Sequence, residues 1–138
     1  MDTIINEELA NEMLKLAEKN KNNIAYKFNR KVINDPNHKK NNKVHPAVCL
    51  IRTKDYWNIG GCEEKLVGNY GQTDPIFWYR ASNKVTVIEK KKLYLIYEPM
   101  AEADIIRDTA INSRKKKYLL KNKNFSKTFC NFEWEKNL

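Results

Sequence analysis

Glycine, proline, cysteine and histidine are all scarce in this 138-residue chain, which has four glycines, four prolines, three cysteines and two histidines. Each shortage narrows the chemistry open to it. Four glycines leave little room for a backbone loop that cradles phosphates, and G-x-x-x-x-G-K-S/T, G-x-G-x-x-G and G-x-S-x-G are all missing. Gly60, Gly61, Gly68 and Gly71 read instead as turn residues. Two histidines give a Cys/His or Ser/His/Asp arrangement few bases to draw on. Cys49, Cys62 and Cys130 form neither an even framework nor a C-x-x-C pair, and the surroundings of Cys49 and Cys130 are those of buried thiols. His38, His45, Cys49 and Cys62 are metal-ligand types, but they lack the paired spacing of a structural zinc site. No catalytic residue, metal or cofactor is nominated on these grounds.

Long apolar runs are missing too. No stretch of 18 apolar residues exists, so no membrane-spanning helix is expected. The first 14 residues lack the basic start and unbroken apolar core of a secretory signal. With the odd cysteine count, the expectation is a reducing, cytoplasmic setting.

What is abundant is lysine. The basic residues are 21 Lys and 5 Arg against 17 acidic residues, a net charge of +9. Such an excess favours anionic partners. Lys, Asn and Ile share A/T-rich codons, and the chain has 18 Asn and 12 Ile, so coding bias competes as an explanation. Placement separates the two. Residues 1–20 carry −3 and residues 55–113 carry −2, whereas residues 21–54 carry +8 and residues 114–138 carry +6. Coding bias would spread lysine evenly; a binding surface concentrates it.

Apolar spacing sets the expected elements. Ile5, Leu9, Met13 and Leu16 line one helical face, with Asp2 or Thr3 as cap. Ile24, Phe28 and Val32 suggest a second short helix, while Ile24, Tyr26 and Phe28 also alternate as a strand would. Asn37–Lys43 is an exposed basic loop. Strand-like segments follow at Ala47–Ile51, Ile76–Arg80, Val85–Ile88 and Leu93–Tyr97, with Trp57–Gly61 running into a Gly-Gly turn and Glu89–Lys92 able to close a hairpin. A last helix is expected over Ala101–Leu120, its acids early and its bases late. The fold expected is α+β: one or two N-terminal helices, an antiparallel sheet of about four strands, and a C-terminal helix with a basic, aromatic tail. It makes one domain over 1–138, within which 121–138 can extend as a tail.

The cations fall in three places. Lys39, Lys40 and Lys43 belong to the polar loop. Lys90, Lys91 and Lys92 belong to the connection between strands. Arg114, Lys115, Lys116, Lys117, Lys121, Lys123 and Lys127 belong to the last helix and tail. Four successive cations wrap a helix end, which suits contact with phosphate backbones. Phe125, Phe129, Phe132 and Trp134 follow; they stack on unpaired bases in one reading and fold back as a core stripe in the other. Trp57, Tyr70, Trp78 and Tyr79 are expected in the core.

Asp74-Pro75 followed by Val85-Thr86-Val87-Ile88-Glu89-Lys90-Lys91 resembles the core motif of the metal-dependent PD-(D/E)xK nucleases. The resemblance covers residues 74–91. It implies a larger mixed sheet, Asp74 and Glu89 as Mg²⁺ ligands, and Lys91 steadying nucleophile and phosphate. Asp55 with Glu63-Glu64-Lys65 is a second match.

The leading expectation is a non-enzymatic RNA-binding or ribosome-associated protein that meets phosphates through the basic loop and the C-terminal helix. The alternatives are a small viral or mobile-element inhibitor that binds a host nucleic-acid-processing enzyme and, third, the nuclease.

Overall fold

Asn6 opens the first helix. Its Oδ1 accepts the backbone N–H of Leu9 at 2.9 Å, so it fills the cap position expected of Asp2 or Thr3. The computed structural model describes residues 3–19, 22–97 and 108–126. Within them lie strands β1 (Thr3–Ile4), β2 (Ile24–Val32), β3 (Lys43–Ile51) and β4 (Thr86–Tyr97), with helices α1 (Glu7–Lys19), α2 (Thr53–Ile59), α3 (Thr73–Ser82) and α4 (Ala110–Asn122). A single 3₁₀ turn, Glu64–Leu66, separates α2 from α3. Ala101–Arg107 lies outside the described residues, and Asp108 Oδ1 accepts the first α4 amide, that of Ala110, at 2.8 Å.

The class is α+β, but the sheet departs from expectation. The strand order is β1-β4-β2-β3, and the central β2–β4 pair runs parallel. β3 pairs antiparallel with β2, and the two-residue β1 pairs antiparallel with β4. The sheet is therefore mixed, with three long strands. A parallel pair needs a long crossover, and β3, α2 and α3 supply it.

One expected strand is corrected. Ile76–Arg80 is β-prone by composition yet sits inside α3. Pro75 occupies the first helical turn, where its missing N–H costs nothing. Burial of Ile76, Phe77, Arg80 and Ala81 follows helical spacing. The Trp57–Gly61 segment begins inside α2, which ends at Ile59 and is capped by Gly60 in the left-handed region (φ 102°), whose N–H reaches the Trp57 and Tyr56 carbonyls. Glu89–Lys92 is no hairpin: no Gly or Asn allows a tight turn, and β4 continues through it as one strand. Ile24–Val32 takes the strand alternative over the helical one.

Both strands beside β2 bulge at the same level. Along β2, Lys27 and Asn29 are two residues apart, while their β3 partners, Cys49 and Val44, are five apart. Phe28 and Asn29 are adjacent, while their β4 partners, Lys90 and Tyr94, are four apart. Each neighbour thus carries three extra residues there. Side chains pin both excursions: Asn29 Nδ2 donates to Lys91 O at 3.0 Å, and Trp78 Nε1 donates to Pro46 O at 2.7 Å.

Alternation along β2 divides the core. Ala25 meets Ile59, Phe77, Ala81 and Val85 on the α2/α3 side. Tyr26 and Phe28 meet Leu9 of α1 and Leu95 on the other. A third cluster, Leu66, Ile76 and Leu119 with Phe125 against it, holds α4 to the 3₁₀ turn and α3. Among the described residues no helix is long and apolar enough to cross a membrane.

Candidate nucleic-acid interface

A buried amide docks the first turn of α4. Asn112 has no exposed surface, and its Nδ2 donates to the carbonyls of Leu66 (3.0 Å), Asn69 (2.8 Å) and Gly71 (3.0 Å). Asn112 and Leu119, seven residues apart, define the buried side. At 100° per residue the opposite side carries Arg114, Lys117 and Lys121, with Tyr118 (59% exposed) beside them on the Arg114 flank. All three cations are exposed. Lys115 and Lys116 are half-buried on the flanks, and Lys115 Nζ donates to Lys65 O at 3.0 Å. α4 contains no acidic residue.

Two grooves of about 490 Å³ adjoin the segment that follows α4. Lys65, Arg114, Lys115 and Tyr118 line the first, together with Leu119 and Asn124. Tyr79, Arg80, Lys84, Lys123 and Phe125 line the second, with Ile59, Asn83 and Ser126. Among the described residues no carboxylate lines either groove, in a chain with 17 acidic residues. Lys65 Nζ donates to the Asn124 carbonyl (2.8 Å) and Oδ1 (3.0 Å), tying the segment between the grooves to the 3₁₀ turn.

Glu63 is spent beneath the second groove. Glu63 is 1% exposed and accepts from the Ser126 N–H and hydroxyl, the Lys65 N–H and Arg80 Nη1, the last at 3.4 Å. Arg80, 8% exposed, also donates through Nε and Nη2 to Ile59 O at 3.0 and 2.8 Å. Burial pulls the Arg80 pKa down, and the Glu63 charge opposes that pull.

The other sequence candidates lie on different elements. The 33–42 connection is stitched by Asn41, whose Oδ1 accepts from Val32 N (2.6 Å) and whose Nδ2 donates to the Asp35 and Pro36 carbonyls (both 2.8 Å). It leaves Lys39 exposed and Lys40 half-buried, and it places Lys43 opposite Arg30 on the sheet edge. At the β4 bulge Lys91 and Lys92 are exposed and Lys90 is half-buried. Lys90 Nζ sits 5.2 Å from the Tyr26 ring centroid. Lys92 and Lys31 share a smaller groove that also contains Glu8. Lys127 lies outside the described residues, as do Phe129, Phe132, Trp134 and Cys130.

Phe125 takes the core-facing option, half-buried against Leu66, Ile76 and Leu119, yet it also borders the second groove. Trp78 packs under Lys27, whose Nζ is 4.0 Å from the ring centroid. Trp57 and Tyr70, expected inside, stand on the surface at 49% and 51% exposure. Sequence reasoning missed Lys65, Lys84 and Tyr118 as contributors. The only available signal was the α4 pattern, in which Tyr118 falls four residues after Arg114.

The nuclease-like residues are dispersed. Asp74 stands in the first turn of α3, where burial raises its carboxyl pKa and His45 pulls it back down. Glu89 lies on β4 in register with Lys27. In the second match, Asp55 accepts from Asn23 N at 3.2 Å and pairs with Arg52, while Glu63 serves Arg80 and Ser126. Among the described residues no three His, Cys, Asp or Glu side chains converge on one point. His45 is buried and accepts from Ala47 N at 3.2 Å. No family model, curated protein or solved structure matches this chain.

Proposed function

We propose that this chain is a non-enzymatic RNA-binding protein that grips phosphate through the exposed face of α4 and the two grooves beside it. The observation that carries the reading is the sorting of charge. Arg114, Lys117 and Lys121 share a face about 10 Å long at 1.5 Å of rise per residue. The grooves next to it hold further cations and aromatic rings and, among the described residues, no carboxylate. Each phosphate neutralised releases counterions, so affinity falls with salt. The loop lysines and the Lys90–Lys92 bulge extend the footprint onto other elements.

Filter binding of a single-stranded RNA across a salt series tests this. Replacing Arg114, Lys117 and Lys121 with Gln lowers the slope of log affinity against log salt by about 2, at roughly 0.7 per phosphate contact. RNA affinity that is undetectable at about 50 mM salt, or flat with added salt, refutes the proposal.

A second reading has its own observation. α1 is acidic, and it presents Leu14, 62% exposed, on the same face as Glu7 and Glu18. That face suits a protein partner, as the inhibitor reading requires. A partner retained in a pull-down after RNA and DNA are digested favours it.

A further inference from the structure

We infer that the groove between the end of α3 and residues 123–126 is a subsite for one unpaired nucleobase and its phosphate. The inference rests on the RNA-binding reading and adds a ligand to one place in it. The groove's volume, about 490 Å³, is in the usual range for small-molecule sites. Two aromatic rings border it, Tyr79 and Phe125, with centroids 6.2 Å apart and planes inclined by 41°. Flat, tilted walls of this kind accept another planar ring by stacking, and every base has such a face.

The cations are placed for the rest of the nucleotide. Lys123 Nζ donates to the Tyr79 hydroxyl and lies 4.4 Å from that ring's centroid. Lys84 Nζ donates to Asn58 O at 2.6 Å. Each ammonium has three N–H donors, so each keeps two for a phosphate oxygen while its position stays fixed by the bond already made. Arg80 lies behind Phe125, 5.4 Å from its centroid, and its partner Glu63 is turned inward to Ser126 and Lys65. Among the described residues no carboxylate stands at the rim to repel the phosphate. Asn83 adds an edge contact. Its Nδ2 donates to Tyr79 O at 2.6 Å, which leaves the side-chain oxygen to accept from an exocyclic amine. Adenine, cytosine and guanine carry such an amine and uracil does not, so the site disfavours uracil.

Two measurements test the inference. In the unmutated protein, AMP titrated to millimolar concentration shifts the ring resonances of Tyr79 and Phe125, whereas ribose 5-phosphate, which has no base, does not. Equal shifts from both, or from neither, overturn the subsite. Anisotropy of labelled rA₁₀, rU₁₀ and a ten-base-pair RNA duplex supplies the second arm. The variants are Tyr79→Leu and Phe125→Leu, with folding verified by circular dichroism. Each loses at least about fivefold in affinity for rA₁₀ and stays within about twofold of wild type for the duplex. Equal losses on both RNAs, or no loss on rA₁₀ while the wild type still binds it, overturn the subsite and leave the phosphate-binding reading standing. A wild type that binds none of the RNAs but binds an acidic decapeptide overturns both.

Discussion

Replacing Asn112 with Ala tests whether one amide holds α4 in place. The side chain is fully buried, and its Nδ2 group serves three carbonyls of the 66–71 segment. A buried acceptor that loses its donor costs about 1–3 kcal/mol. Nδ2 has two protons, so two full bonds are counted, not three. Val67, in the middle of that segment, is exposed, so water can partly replace the donor there. The Asn112 Oδ1 is buried with no hydrogen-bond partner among the described residues, so deleting it sacrifices nothing. The expected loss is about 2–4 kcal/mol. At a urea m-value near 2 kcal/mol/M, the midpoint falls by about 1–2 M with the slope unchanged. Asn122→Ala, on the exposed end of the same helix, stays within about 0.5 kcal/mol. Asn112→Asp refines the test. Its carboxylate faces three carbonyl oxygens, which raises its folded pKa, so its penalty is largest near neutral pH and shrinks as acid restores a donor proton. A midpoint shift below about 0.5 M for Asn112→Ala refutes the reasoning, as does an Asp variant no more stable near pH 4 than near pH 7 relative to wild type.

Three further outcomes are expected. α4 has five cations and no acid, with like charges at Arg114/Lys117 and Lys117/Lys121, so the thermal midpoint falls as salt is diluted from about 150 to 10 mM and recovers with added polyphosphate; a flat midpoint refutes this. Glu63→Gln keeps the shape but leaves Arg80 charged and buried without its counter-charge, for a loss of about 3 kcal/mol in urea denaturation, and an unchanged midpoint shows the pair to be dispensable. Iodoacetamide followed by peptide mapping labels exposed Cys62 well before Cys49, whose pKa is raised first by burial and then by the nearby Cys62 and Asp74 charges; equal rates at the two sites contradict this.

The sequence shows some of this directly and hides the rest for physical reasons. Leu9, Met13 and Leu16 mark α1 because a helix against a sheet face needs apolar residues every three or four positions. The positive segment at 114–121 is visible because charge needs no fold to be counted. Ile76-Phe77-Trp78-Tyr79 misleads because β propensity mostly reflects packing on a half-buried surface, and here that surface belongs to a helix. The Thr73-Asp74-Pro75 start carries the contrary signal in three residues. The Lys90–Lys92 bulge resembles a turn because three successive lysines interrupt an apolar run in either case. The Glu63–Arg80 pair joins residues 17 apart, and Asn112 reaches back more than 40. No local pattern announces such contacts. Lys84 enters the interface only because the end of α3 lies against residues 123–126.

The paired excursions beside Asn29 bear on how the chain finds its alignment. A strand that slips by two residues keeps its inward and outward faces, so hydrophobic patterning alone does not forbid the error. Here a two-residue slip of β2 carries Asn29 away from Lys91 O and moves Phe28 and Asn29 off the gaps that both neighbours leave for them. The central strand therefore fits like a key with a notch on each edge. Misalignment is rejected from both sides at once, and three extra residues in each flanking strand provide that fidelity.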